Sequence, residues 1–201
     1  IGDRSFSNDP QSVIRNAAAV ISGYEQAGIL PVLKHFPGHG SASQDSHMGL
    51  ATTPDLEVLR QVDLLPYQAL LKDNLMVMVG HLWIPDLTDN FPASLSSAAV
   101  EGLLRDELGF NGIVITDALG MGAITEKWPI LEAAILAINA GVNVVMVSSP
   151  QQVSSLLDGM EASLVTGELD HKKVLDSVER VFALKAVTPC QLVESFQSNN
   201  N

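Results

Sequence analysis

Four continuously apolar runs govern what this chain can fold into. They are Ile29 to Lys34, Leu75 to Gly80, Gly112 to Thr116 and Val142 to Val147. None alternates polar with apolar, so each reads as a strand buried on both faces, the habit of a parallel sheet. Parallel neighbours need a long crossover, usually a helix. The three intervening segments each supply one, over residues 53–71, 96–109 and 130–140; another helix, 10–27, precedes the first strand, and two more fit 150–165 and 170–186. Strand followed by helix, repeated, defines the α/β class. Two architectures satisfy the pattern, a doubly wound sheet or part of a (β/α)8 barrel. A closed barrel takes about 250 residues, so 201 residues supply only part of one.

The helix boundaries have local causes. Asp9-Pro10 reads as an N-cap followed by a first helical residue, and Gly28 closes that helix. Thr53-Pro54 opens the next, Ser96 caps the third and Gly109 ends it. The Ser- and Asn-rich tail beyond residue 188 is expected to be disordered.

Composition bounds the function. A 46% hydrophobic chain can bury a sizeable core. A net charge of −12 repels phosphate backbones, which sets nucleic acid aside as a partner. A single cysteine, Cys190, leaves no internal disulfide framework, which fits the cytosol without excluding export. No apolar run is long enough to cross a bilayer, and no signal peptide is visible. The opening Ile1-Gly2-Asp3-Arg4 has no Met and reads as an internal start.

The chemistry gathers where the strands end. Parallel α/β folds place reactive groups at the C-terminal ends of strands. Those ends carry Lys34 and His35, then His81, then Asp117, then Ser148. Three of the five histidines (His35, His39 and His47) fall within thirteen residues of Gly-rich loop. Asp117 can serve as nucleophile, base or metal ligand, or simply close an Asx turn. Asp45 and His47 are two residues apart, so the carboxylate can accept from one imidazole nitrogen and leave the other for a substrate proton. A solvated surface loop is the bland alternative. Lys34 and His35 offer cationic and neutral donors to substrate hydroxyls, or are a strand-end lysine in solvent and a satisfied core histidine. Zinc could use the histidines and Asp45. However, HExxH and a Cys partner are absent, so no metal and no cofactor are expected. GxGxxG and the Walker A pattern are absent too.

Several motifs in order resemble a known family. Gly2-Asp3-Arg4-Ser5-Phe6-Ser7-Asn8-Asp9-Pro10, then Lys34-His35-Phe36-Pro37-Gly38-His39-Gly40, then Asp45-Ser46-His47, then Ile115-Thr116-Asp117-Ala118-Leu119-Gly120-Met121 are similar to segments of the β-N-acetylhexosaminidases of glycoside hydrolase family 3. The resemblance runs from residue 1 to about 188. It implies a (β/α)8 barrel of which only the C-terminal half to two-thirds is present. It implies that Asp117 is the nucleophile, His47 the acid/base and Asp45 its partner. Arg4, Lys34 and His35 would hold the N-acetylglucosamine. The substrate would be a terminal β-linked N-acetylglucosamine, notably in muropeptides from cell-wall turnover. An N-terminal half-barrel, absent here, is then an expected partner. The likeness departs after Gly40, where the family usually has an acidic residue and this chain has Ser41-Ala42-Ser43. A β-glucosidase or phosphorolytic activity, and an inactive sugar-binding remnant, are the competing readings.

Overall fold

The structure is a computed structural model that describes residues 2–43 and 49–186. Among the described residues six strands form in chain order: β1 (Val32–Phe36), β2 (Ala51–Thr52), β3 (Met76–Val79), β4 (Leu82–Trp83), β5 (Ile113–Ala118) and β6 (Val144–Met146). Four of them make the main sheet, in the order β1-β3-β5-β6, every pair parallel. The chain therefore crosses the sheet in one direction and never turns back. A doubly wound sheet reverses at a switch point. With right-handed crossovers, a sheet that never reverses keeps its helices on one face. The fold is thus α/β of the barrel type, and the described residues make an open part of the wall. β2 and β4 form a small parallel pair of their own.

Two ladders are interrupted. Register shifts between Lys34 and Phe36 on β1, and between Ile115 and Ala118 on β5. His35 and Asp117 fall inside those interruptions. An irregularity of this kind turns a side chain out of the regular alternation, and such features concentrate beside functional sites.

The helices are α1 (Pro10–Gln26), α2 (Leu56–Gln61), α3 (Leu64–Leu70), α4 (Gly122–Thr125), α5 (Ile130–Asn139), α6 (Val153–Thr166) and α7 (His171–Lys185). Asp9 caps α1 as expected, its side chain accepting from the Ser12 N–H. Two expectations need correction. The single helix over 53–71 is two helices, broken at Val62 and Asp63. Pro66 is the physical reason: in a continuous helix its ring would collide with the carbonyl of Val62, four residues back. The segment 96–109 forms a π-helix, Ala98–Glu107, and neither Ser96 nor Ser97 gives it the expected side-chain cap. Ser97 instead donates its hydroxyl to Glu101.

The core lies between the sheet and these helices. Val77 and Val79 of the central strand β3 are fully buried, as are Phe36, Leu59, Leu64, Phe110, Val114 and Leu119. Phe36 meets Tyr67 of α3 edge-on at 5.2 Å. At the opposite end from the reactive groups, Arg105 fastens the starts of β5 and β6. Its guanidinium donates to the carbonyls of Phe110, Gly112 and Gly141 and to Asn143 Oδ1. Burial lowers its pKa to about 10, so it stays charged at neutral pH.

Among the described residues β1 and β6 are the sheet edges. Near β1, Phe6, Val20, Tyr24, Ile29 and Val32 are exposed, and α6 and α7 expose Leu157, Val165, Leu175 and Val178. Residues 189–201, expected to be a tail, lie outside the described residues.

Candidate active site

The site begins with a glycine. β1 and β5 are not neighbours, because β3 runs between them. His35 and Asp117 nevertheless approach across it, with His35 Nε2 3.6 Å from Asp117 Oδ2. Gly80, just past β3, leaves the room: a Cβ there would come within 3.2 Å of His35 Cβ. The peptide bonds Lys34–His35 and Phe36–Pro37 are both cis.

A distance of 3.6 Å is too long for a hydrogen bond, so His35 is not held on the carboxylate as an imidazolium. Burial decides its charge. With 8% of its surface exposed, the imidazole has its pKa pushed down to about 4, first by desolvation, with Lys34, His39 and Arg4 adding in the same direction and Asp117 opposing them. His35 is therefore neutral at physiological pH. Its Nδ1 is buried with no hydrogen-bond partner among the described residues.

Asp117 is the better-fixed member of the pair. Its Oδ1 accepts from the Ala118 N–H at 2.8 Å. The Ala118 carbonyl in turn accepts from His81 Nε2 at 3.0 Å, and His81 Nδ1 is 2.7 Å from the Ser94 hydroxyl. A carbonyl only accepts, so Nε2 carries a proton. His81, a strand-end candidate in the sequence, is thus fully buried and serves as a strap behind Asp117. Thr116 accepts from the Met146 N–H and ties the same point to β6. Ser148, the last strand-end candidate, is exposed.

Arg4, Lys34, His35 and His39 line a cavity of about 790 Å³ beside β1. Val13, Ala17 and Ile21 of α1 and Leu33 of β1 supply apolar lining. Asp117 is not in that lining and adjoins it through His35. Asp45 and His47 lie outside the described residues. The chain on either side of them is pinned. The Ser43 N–H donates to the Thr52 carbonyl and the Thr53 N–H to that of Trp83, which joins the segment to the β2–β4 pair. Among the described residues no group of three or more His, Cys, Asp or Glu is placed to hold a metal ion.

Asp63 and Gly80 escaped the sequence reading. Asp63 was hidden inside the segment read as one helix, although Pro66 marked the break. Gly80 is adjacent to His81 and gave no signal of its own.

A parallel barrel wall with a buried imidazole and a strand-end carboxylate is the setting of a barrel-type hydrolase. Comparison narrows it. Residues 1–184 match the Glycosyl hydrolase family 3 N terminal domain. The beta-hexosaminidase LpqI of Mycobacterium tuberculosis is 45% identical over 196 residues, which are 94% of this chain and 50% of that protein. The solved structure of M. tuberculosis LpqI superposes with a TM-score of 0.89, covering 94% of this chain and 57% of that one. A glycoside hydrolase family 3 beta-N-acetylglucosaminidase from Paenibacillus superposes with a TM-score of 0.86 at 35% identity, covering 91% of this chain and 36% of that one. The chain belongs to glycoside hydrolase family 3. It spans about half the length of the LpqI beta-hexosaminidases that it matches.

Proposed function

We propose that this chain carries the catalytic wall of a retaining exo-β-N-acetylglucosaminidase acting on terminal β-linked N-acetylglucosamine, with muropeptides as the natural substrate class. The observation that carries the reading is the pair at the strand ends: a fixed carboxylate, Asp117, facing a neutral imidazole, His35, across Gly80. The names of the relatives, beta-hexosaminidase and beta-N-acetylglucosaminidase, support the sugar.

The steps follow from the residues. A retaining glycosidase needs a nucleophile on one side of the anomeric carbon and a proton donor at the leaving oxygen. Asp117 Oδ2 attacks the anomeric carbon. The bond to the aglycone oxygen breaks, and that oxygen takes a proton from His47. Water then attacks the glycosyl-enzyme and gives its proton to His47, and Asp117 leaves as the carboxylate. A neutral His35 matters here, because an imidazolium beside Asp117 would lower the nucleophile's charge density. Its Nε2 can then exchange a hydrogen bond with a sugar hydroxyl. Arg4 and Lys34 supply cationic donors from the cavity wall, and Asp45 orients His47.

The exposed apolar groups along the sheet edges call for cover. We assign that cover to the remaining half of the barrel, whether on this chain or another. The test is hydrolysis of 4-nitrophenyl N-acetyl-β-D-glucosaminide, with the first product followed by proton NMR. The β-anomer appearing first, and its loss in D117N, support the reading. The α-anomer first, or undiminished turnover in D117N, refutes it.

A further inference from the structure

Asp63 stands at the N-terminus of α3, where an aspartate usually caps the helix, yet it makes no capping hydrogen bond. Its carboxylate is turned onto the loop after β1. Oδ2 accepts from the Ser41 hydroxyl at 2.6 Å, and Oδ1 accepts from the Ser41 N–H at 3.3 Å. Gly38, at the other end of the same turn, presses its bare Cα against that side chain. A Cβ at Gly38 would lie 2.2 Å from Asp63 Cβ. One side chain thus fixes residues 38 and 41 together. His39 lies between them, its carbonyl accepting from the Ala42 N–H.

The His39 ring meets the His35 ring edge-on, with centroids 5.7 Å apart and planes at 72°. His35 needs such a neighbour. Its Nδ1 has no hydrogen-bond partner among the described residues, and its Nε2 is beyond hydrogen-bond distance of Asp117. Hydrogen bonds therefore do not fix its rotation, and packing has to. Gly80 borders it on one side and the His39 ring on another.

We infer that Asp63, Ser41 and His39 form a brace that sets the His35 imidazole against Asp117. They are positioning residues, acting through His35. The brace also gives a reason for the hydroxyl at position 41: a carboxylate there would meet that of Asp63, whereas Ser41 donates to it. The inference rests on the glycosidase reading only for its kinetic consequence.

The test uses D63A, S41A, H39A and H39F in the full chain, with two readouts. One is the titration of the His35 ring by nitrogen-15 NMR. The other is kcat/KM on 4-nitrophenyl N-acetyl-β-D-glucosaminide. The titratable and charged groups facing His35 are Asp117, Lys34, His39 and Arg4. H39A and H39F remove the same one of these, so only the ring distinguishes them. In D63A and H39A the loosened His35 admits water. Its titration midpoint rises, and kcat/KM falls by about 10- to 100-fold, the usual cost of misplacing a reacting group by an ångström. S41A moves both readouts in the same direction by less, and covers the case in which D63A fails to fold. H39F keeps the edge contact and stays within about threefold of the parent, below the scale of such misplacement. An unmoved His35 titration in S41A and H39A overturns the brace, and so does H39F matching H39A. Should the parent show no glycosidase turnover, the His35 titration decides alone.

Discussion

Acid should weaken this fold through His35 in a defined window. The folded-state pKa, about 4, lies below the ordinary histidine value of 6.5 because burial disfavours the charged ring. As pH falls below 6.5, the unfolded chain takes up the proton first, and the equilibrium shifts toward unfolding. Stability from the neutral ring is complete above 6.5 and declines until about 4. Each pH unit crossed inside that window costs about 1.4 kcal/mol. At pH 5 the loss is about 2 kcal/mol. H35Q has no such titration and serves as the reference. Urea unfolding of both proteins, at steps from pH 7.5 to 4.5, yields the difference in stability between them. That difference should move against the parent by about 2 kcal/mol at pH 5, or a midpoint shift of about 1 M for a typical urea slope. Parallel profiles would refute the burial argument. A difference that moves in favour of the parent on acidification would show that His35 is held as an imidazolium by Asp117.

Further outcomes follow from the same geometry. R105M should destabilise the protein by about 3 kcal/mol in denaturant melts, because three buried carbonyls and Asn143 lose a charged donor; a change under about 0.5 kcal/mol would contradict the lock. G38A should cost about 1–3 kcal/mol, since its φ of 154° lies outside the usual range of an L-residue and its Cβ would overlap Asp63; an unchanged melting temperature would refute the close approach. On an activated aryl glycoside, whose leaving group needs little protonation, H47A should retain more of the first step than D117A. Equal loss in pre-steady-state bursts would overturn the two role assignments.

Much of this architecture was legible because burial on both faces leaves a mark in sequence. Four unbroken apolar runs located the four strands of the main sheet, although strand ends shifted by up to three residues. Winding was not legible, since apolar runs do not say which strand lies beside which. The strand order removed that ambiguity. Asp117 was readable because a carboxylate after Ile113-Val114-Ile115-Thr116 stands at a buried strand end. His81 carried the same signal and proved to be a strap, because position alone does not reveal whether a polar group faces a cleft or a partner. Asp63 and Gly80 depend on contacts across 22 and 45 residues of chain, to Ser41 and His35, which no local pattern encodes.

Asp117 is proposed to become covalently bonded to the sugar. Incubation with a 5-fluoro derivative of an activated N-acetyl-β-glucosaminide, which slows turnover of the intermediate, followed by peptic digestion and mass spectrometry, tests it directly. A fluorinated N-acetylglucosaminyl adduct is expected on the peptide containing Asp117, absent from D117N. An adduct on any other residue, or turnover of the probe with an adduct on none, would contradict it.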